Sequence, residues 1–276
     1  MTLERSLSLV APRTEAPCAG AARAPREPVA MSQTFVRYAI RLPDGLERTF
    51  AVDVGPTGVG LPREKPVPRP AWTELEHNKC PHCPLSAEEH PHCPAAVGLA
   101  ELVDAIGDVH SFERVDVTVE SDERRVEFKA VELQNVLGSL LGLLMPMSGC
   151  PHTAFFRPMA RFHLPLSTIQ ETVFRSAGSF LLAEWLRRSE GAADVTFDLQ
   201  RLTEIYQRIQ IVNRHLHGRL QDATSTDSSL NAVALLDALA QILPMEVDGS
   251  LKSMRPLFEA YLEEGKAEAG EAGPAA

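Results

Sequence analysis

The sequence has no excess of basic residues: 27 Lys and Arg stand against 37 Asp and Glu, for a net charge of −10. An acidic chain is a poor match for a phosphate backbone or an anionic lipid surface, so neither nucleic acid nor a membrane is expected as a partner. No stretch reaches the roughly 18 apolar residues of a spanning helix. The longest candidate, Val136 to Met147, is short and contains Pro146. Residues 1–30 lack the apolar segment of a secretory signal. Their Ala, Pro and Arg content reads as a disordered leader, or as the product of an upstream start with Met31 as the true first residue. The default compartment is the cytoplasm. Phosphate-loop, dinucleotide, nucleophile-elbow and HExxH patterns are all missing, which removes the common nucleotide-binding and hydrolase templates.

What is present is ordinary globular material, 44% hydrophobic and 23% charged, long enough at 276 residues for about two domains. Thr34 to Val54 carries two β-prone runs around Pro43-Asp44-Gly45, and Phe112 to Glu120 and Arg124 to Val131 flank Ser121-Asp122-Glu123. Both read as hairpins that can join in one antiparallel sheet. A Gly- and Pro-rich connector, 55–70, leads to a cysteine region, and 94–108 fits a short amphipathic helix. From Glu132 the apolar period changes to about 3.6, with helices expected at 132–145, 153–162, 168–189, 198–221, 228–243 and 250–264. Asp198 and Asp227 suit N-caps and Gly191 a helix end. Gly138 and Gly142 form a GxxxG that reads as close helix packing. The expected class is α+β, a small antiparallel β-hairpin region with a Cys-rich metal loop followed by a helical C-terminal half. The regions are a leader (1–30), a β-rich part (31–131), a helical part (132–264) and a disordered tail (265–276).

Four of the five cysteines share a local signature. The stretch from His77 reads HNKCPHCPL, then HPHCP from His90, and CPH returns at Cys150. Cys80, Cys83, Cys93 and Cys150 are each followed by proline, whereas Cys18 in the leader is not. A CxxC pair forms a tight knuckle that aims two thiolates at one ion, and proline after each ligand restricts the backbone before metal arrives. Cys93 can supply a third ligand and Cys150 a fourth from far along the chain. Histidines compete for these places: His77 and His90 each stand three before a cysteine, and His82, His92 and His152 sit beside candidate ligands. The site is therefore four-cysteine, or three-cysteine and one-histidine. Zinc is the first expectation and an iron–sulfur cluster the alternative, because Pro84 stands where zinc ribbons ordinarily place Gly and Cys-Pro is common at clusters.

Beyond Cys150, Arg157 and Arg161 lie one turn apart near His163, an arrangement that suits an anion pocket as well as ordinary surface ion pairing. A Cys150–His152 nucleophile pair lacks a third orienting group. Glu204, Arg208, His215 and His217 read as the solvated face of a long helix. The strings CPHCPL, HPHCP and GCPHTAFFRPMARFHLP resemble an uncharacterised bacterial family, a domain of unknown function, from about residue 34 to residue 245. The resemblance implies that these strings form one unit, with Cys80, Cys83, Cys93, Cys150 and His152 at the family's motif positions, and it carries no activity. Three functions follow as expectations: a soluble metal-binding protein whose site joins the two regions, an iron–sulfur redox or sensor protein or metal enzyme with an Arg/His anion pocket, and an interaction module for a protein partner.

Overall fold

Alternating side chains build the sheet. In β1 (Phe35–Arg41) Val36, Tyr38 and Ile40 are buried, and in β2 (Glu47–Asp53) Phe50 and Val52 join them. The two strands pair antiparallel from Phe35↔Asp53 to Arg41↔Glu47. Their turn closes as expected: Gly45, at φ +83°, donates to the Leu42 carbonyl at 3.0 Å, and Asp44 accepts from the Leu46 amide at 2.8 Å. β3 (Arg114–Glu120) pairs antiparallel with β1 and with β4 (Arg125–Glu132), giving the order β2-β1-β3-β4. A bulge between Val115 and Val117 leaves Ala130 at φ +51°, held by its amide to Asp116 at 3.0 Å.

The computed structural model describes residues 34–55, 69–107, 109–223 and 227–263. The leader, Cys18, Met31, most of the connector and the tail lie outside these. The described residues belong to one compact unit. The fold is α+β, with the four-stranded sheet in the N-terminal half and mostly helix in the C-terminal half. No helix among the described residues is long and apolar enough to cross a membrane.

Packed against the sheet are α1 (Pro94–Ile106) and α2 (Leu133–Met147). α2 is buried on most of its circumference, from Leu133 to Met147, and links the sheet to the later helices. It runs two residues past the expected end because Pro146 sits in its last turn, where a missing amide removes only one helical bond. The helix expected over 153–162 is instead a 3-10 turn (Ala154–Phe156) followed by α3 (Arg157–Arg161). Pro158 explains the division, since proline is accommodated in a first turn and not further in.

α4 (Ile169–Ser189) begins with a capping box between Thr168 and Glu171. Gly191, at φ +89°, ends it by donating to Arg188 at 3.1 Å. α5 (Gln200–Ala223) starts where the Asp198 carboxylate accepts from the Gln200 amide at 3.0 Å. α6 is one helix (Asp227–Ser253), where two were expected. Burial continues on both sides of the expected break, at Ala240 and Ser250, so packing overrides Pro244 and Gly249. Asp227 stands first in α6 as expected, yet its carboxylate accepts from the amide and hydroxyl of Ser111, at 3.1 and 2.8 Å, which ties α6 to the start of β3.

Inside the core, the Tyr38 hydroxyl lies 2.8 Å from Ser139 Oγ and 2.5 Å from His163 Nε2, while the Leu166 amide donates to Ser139 at 2.9 Å. One assignment satisfies every atom: Ser139 donates to Tyr38, and Tyr38 donates to a neutral His163. Tyr38 is fully buried, so Tyr38→Phe strands both partners and is expected to cost about 1–3 kcal/mol, read as a lower urea midpoint with unchanged circular dichroism. An unchanged midpoint would show that the network contributes nothing.

Candidate metal centre

Three segments distant in sequence carry the four cysteines. Cys80 and Cys83 form a knuckle closed by the Cys83 amide on the Cys80 carbonyl at 3.0 Å. Cys93 caps the N-terminus of α1, its own amide donating to Thr73 at 2.7 Å. Cys150 follows Gly149 (φ +94°) between α2 and α3, with the Thr153 amide on its carbonyl at 3.2 Å. All four are free thiols, three half-buried and Cys150 buried. Burial first, then the proximity of Cys93, Cys150 and Cys83, pushes the Cys80 thiol up to about 12. Burial also raises Cys150, against the opposing pull of the His152 and Thr153 amides. The thiols are thus electrostatic neighbours. Among the described residues, however, no three His, Cys, Asp or Glu side chains stand, as placed, close enough together to hold an ion.

The histidines divide by what they already bind. His77 is paired with Asp222 at 2.9 Å, His92 lies 2.9 Å from the Thr73 hydroxyl, and His90 is exposed on the loop. His82 and His152 stand beside the cysteines: their rings stack at 3.9 Å, and His152 Nε2 donates to the His82 carbonyl at 3.0 Å. Neither ring nitrogen of His82 has a partner at hydrogen-bonding geometry, and burial with the neighbouring His152 lowers its pKa.

A family model described as a domain of unknown function, DUF6901, matches residues 36–259. The chain belongs to that family. No curated protein matches it, and no solved structure does. The match takes in the cysteine loop, the Cys150 segment and every helix of the DUF6901 chain through α6.

The most informative residue at this centre is Arg219 of α5, which sequence reasoning passed over. It is 2% exposed and donates to three carbonyls, Trp72 at 2.8 Å, Glu74 at 2.6 Å and Leu75 at 2.8 Å. Burial lowers its pKa, and Cys93, Cys80 and Cys83, followed by Glu76, favour its charge. The available signal was its register: with Leu202, Tyr206, Ile209, Leu216 and Leu220, it falls on the buried stripe of α5. His215, expected on a solvated face, is half-buried, with its Nδ1 3.0 Å from Asn78 Oδ1. Glu204 and Arg208 are exposed as expected.

The three candidates for an anion pocket are differently engaged. Arg157 Nε donates to the Pro146 carbonyl at 3.4 Å. Arg161 and His163 line a cleft that also contains Glu120, Asp122 and Glu123, and Arg157 does not reach it. Three carboxylates beside two arginines, Arg124 and Arg161, leave the cleft net negative, which disfavours a bound anion there. His163 is not a cation at neutral pH: burial, then the charge of Arg175, lowers its pKa to about 3.

Two predictions follow from these contacts. A Cβ at Gly218 would clash with Asn78 Nδ2, and the Asn78 side-chain amide is held in place by its bonds to His215. Gly218→Ala, although favoured by helix propensity by about 1 kcal/mol, is therefore expected to lower the melting temperature; a rise would show that Asn78 moves aside freely. For His163, the unfolded chain titrates near 6.5 and the native state near 3, so the unfolded state holds the additional proton between those values. Stability is fully present above about pH 6.5 and falls as pH drops through that window, by up to about 1.4 kcal/mol per pH unit. His163→Gln should remove that part of the slope in urea titrations between about pH 7 and pH 4.5.

Proposed function

We propose that this DUF6901 protein is a cytoplasmic metal-binding protein in which Cys80, Cys83, Cys93 and Cys150 hold one zinc ion. Its role is to fasten the cysteine loop and α1 to the α2–α3 junction. The observation that carries this reading is that the thiols, drawn from three separate segments, neighbour a buried guanidinium with no carboxylate partner at ion-pair distance among the described residues. A Zn²⁺ ion with four thiolates has a net charge of about −2. Arg219 complements that charge, while its three carbonyl partners hold the loop's backbone in place. Closing the shell requires metal binding to draw the thiols together from where they stand, a rearrangement that the binding free energy would drive. His82 and His152 are the remaining candidates should one cysteine stay outside.

The test is elemental analysis and an absorption spectrum of untagged protein purified without air. About one zinc per chain and no colour is the expected result. A brown protein containing iron and acid-labile sulfide would replace zinc by a cluster at the same cysteines. Neither metal in fully reduced protein would overturn the proposal. Cys150→Ser should lose the metal and melt at a lower temperature, because a structural ion contributes folding free energy; unchanged metal content and stability would exclude Cys150 as a ligand.

A further inference from the structure

Away from the cysteines, α2, α4, α5 and α6 enclose an open cavity of about 630 Å³. Its size is that of a small-molecule site, and its walls are largely apolar, including Met145, Ile209 and Leu239. Ile169, Leu235 and Ile242 line it while remaining more than a third exposed, so the apolar surface reaches the mouth. Two polar groups on this lining lack the partners their burial calls for.

The first is Asn213 of α5. It is 1% exposed, and neither its amide nitrogen nor its oxygen has a hydrogen-bond partner. Buried polar groups left in this way are uncommon in native proteins, and leaving one unpaired costs about 1–3 kcal/mol. The second is Arg175 of α4. It donates through Nη2 to the carbonyls of Met159 and Phe162, at 2.6 and 2.9 Å, and has no ion-pair partner among the described residues. Glu171, the acid nearest in sequence, is an electrostatic neighbour of Arg175, but its carboxylate is held by Thr168 and makes no ion pair with the guanidinium. Tyr206, which neighbours Arg175 electrostatically, stands seven residues before Asn213 on α5, about 10 Å along the helix.

We infer that this cavity binds an amphiphilic monocarboxylate: a carboxylate at Arg175, an apolar body along Met145, Ile209 and Leu239, and a hydrogen-bonding group within that body at Asn213. A single guanidinium beside a neutral histidine matches one negative charge, whereas a phosphate dianion would call for more cations. The inference is independent of the proposed metal, and its probes contain none.

Ricinoleate, oleate and oleyl alcohol, each below its micellar concentration, discriminate the parts of this assignment in full-length protein by native mass spectrometry and thermal shift. Ricinoleate, with its mid-chain hydroxyl, should bind most tightly, oleate next, and the uncharged alcohol at least about tenfold more weakly than oleate. Each acid should raise the melting temperature saturably. Gly142 lines the cavity, and a Cβ there meets nothing within 4 Å, so Gly142→Leu fills the space without a backbone clash. This variant should fold, melt no lower than wild type, and lose both acids. Absence of saturable binding by either acid, equal binding of oleate and its alcohol, or full retention of binding in a folded Gly142→Leu protein would overturn the proposal. If ricinoleate bound no more tightly than oleate, the role given to Asn213 would fall.

Discussion

The position of the cysteine loop depends on one buried guanidinium. The loop has little hydrophobic core of its own, and Cys80, Cys83 and Cys93 are only half-buried. Its backbone is located instead by Arg219, whose fork holds the carbonyls of Trp72, Glu74 and Leu75. The pair His77–Asp222 and the contacts of Asn78 with His215 fix the same loop to the end of α5. A charge in this setting is costly when its direct acceptors are neutral, and the thiols of Cys93, Cys80 and Cys83, ahead of the Glu76 carboxylate, are the adjoining groups that favour it. On the proposed reading, the residue that places the ligands also balances their charge. Lysine could not substitute, because a point charge lacks the planar fork that spans separate carbonyls.

Those features of the fold that arise from local periodicity were legible in the sequence. The alternation of Val36, Tyr38 and Ile40 and the Asp44-Gly45 turn specify the first hairpin, while Thr168, Glu171 and Gly191 bound α4. Features arising from contacts between distant segments were not. His163 stands near two arginines in sequence, which suits an anion pocket, although a lone histidine there reads more often as buried and satisfied. The structure bears out the second reading, with Tyr38, 125 residues away, as its partner in a site that removes its charge. The continuity of α6 likewise depends on burial at both Ala240 and Ser250, which no window around Pro244 displays. The cysteine pattern was visible because ligand-like spacing is local. The guanidinium beside it was not, because a polar residue in an apolar stripe has many explanations until its neighbours are known.

α5 serves two places with its buried residues. Arg219 and Asn213 are six residues apart and both buried, but Arg219 has three partners and Asn213 has none. Imperfect packing alone would not single out a polar group that lines a largely apolar cavity. The contrast is informative because both residues belong to the same helix, with the same backbone geometry and comparable exposure. One is completed by the protein's own loop; the other presents its amide toward space that the chain leaves open.

How that space arises is visible in the GxxxG of α2. At Gly138 a Cβ would stand 3.8 Å from the Ala232 carbonyl of α6, ordinary contact and consistent with the close helix packing the motif suggests. One turn later, at Gly142, it would meet nothing. The two helices thus approach near the first glycine, the wall is open at the second, and both glycines line the cavity. Packing accounts for Gly138 but not for Gly142, where alanine would give a better helix without a clash. A glycine at an open wall leaves room for something other than its own chain, and on the proposed reading that is the physical link between the repeat in the sequence and a ligand in the cavity.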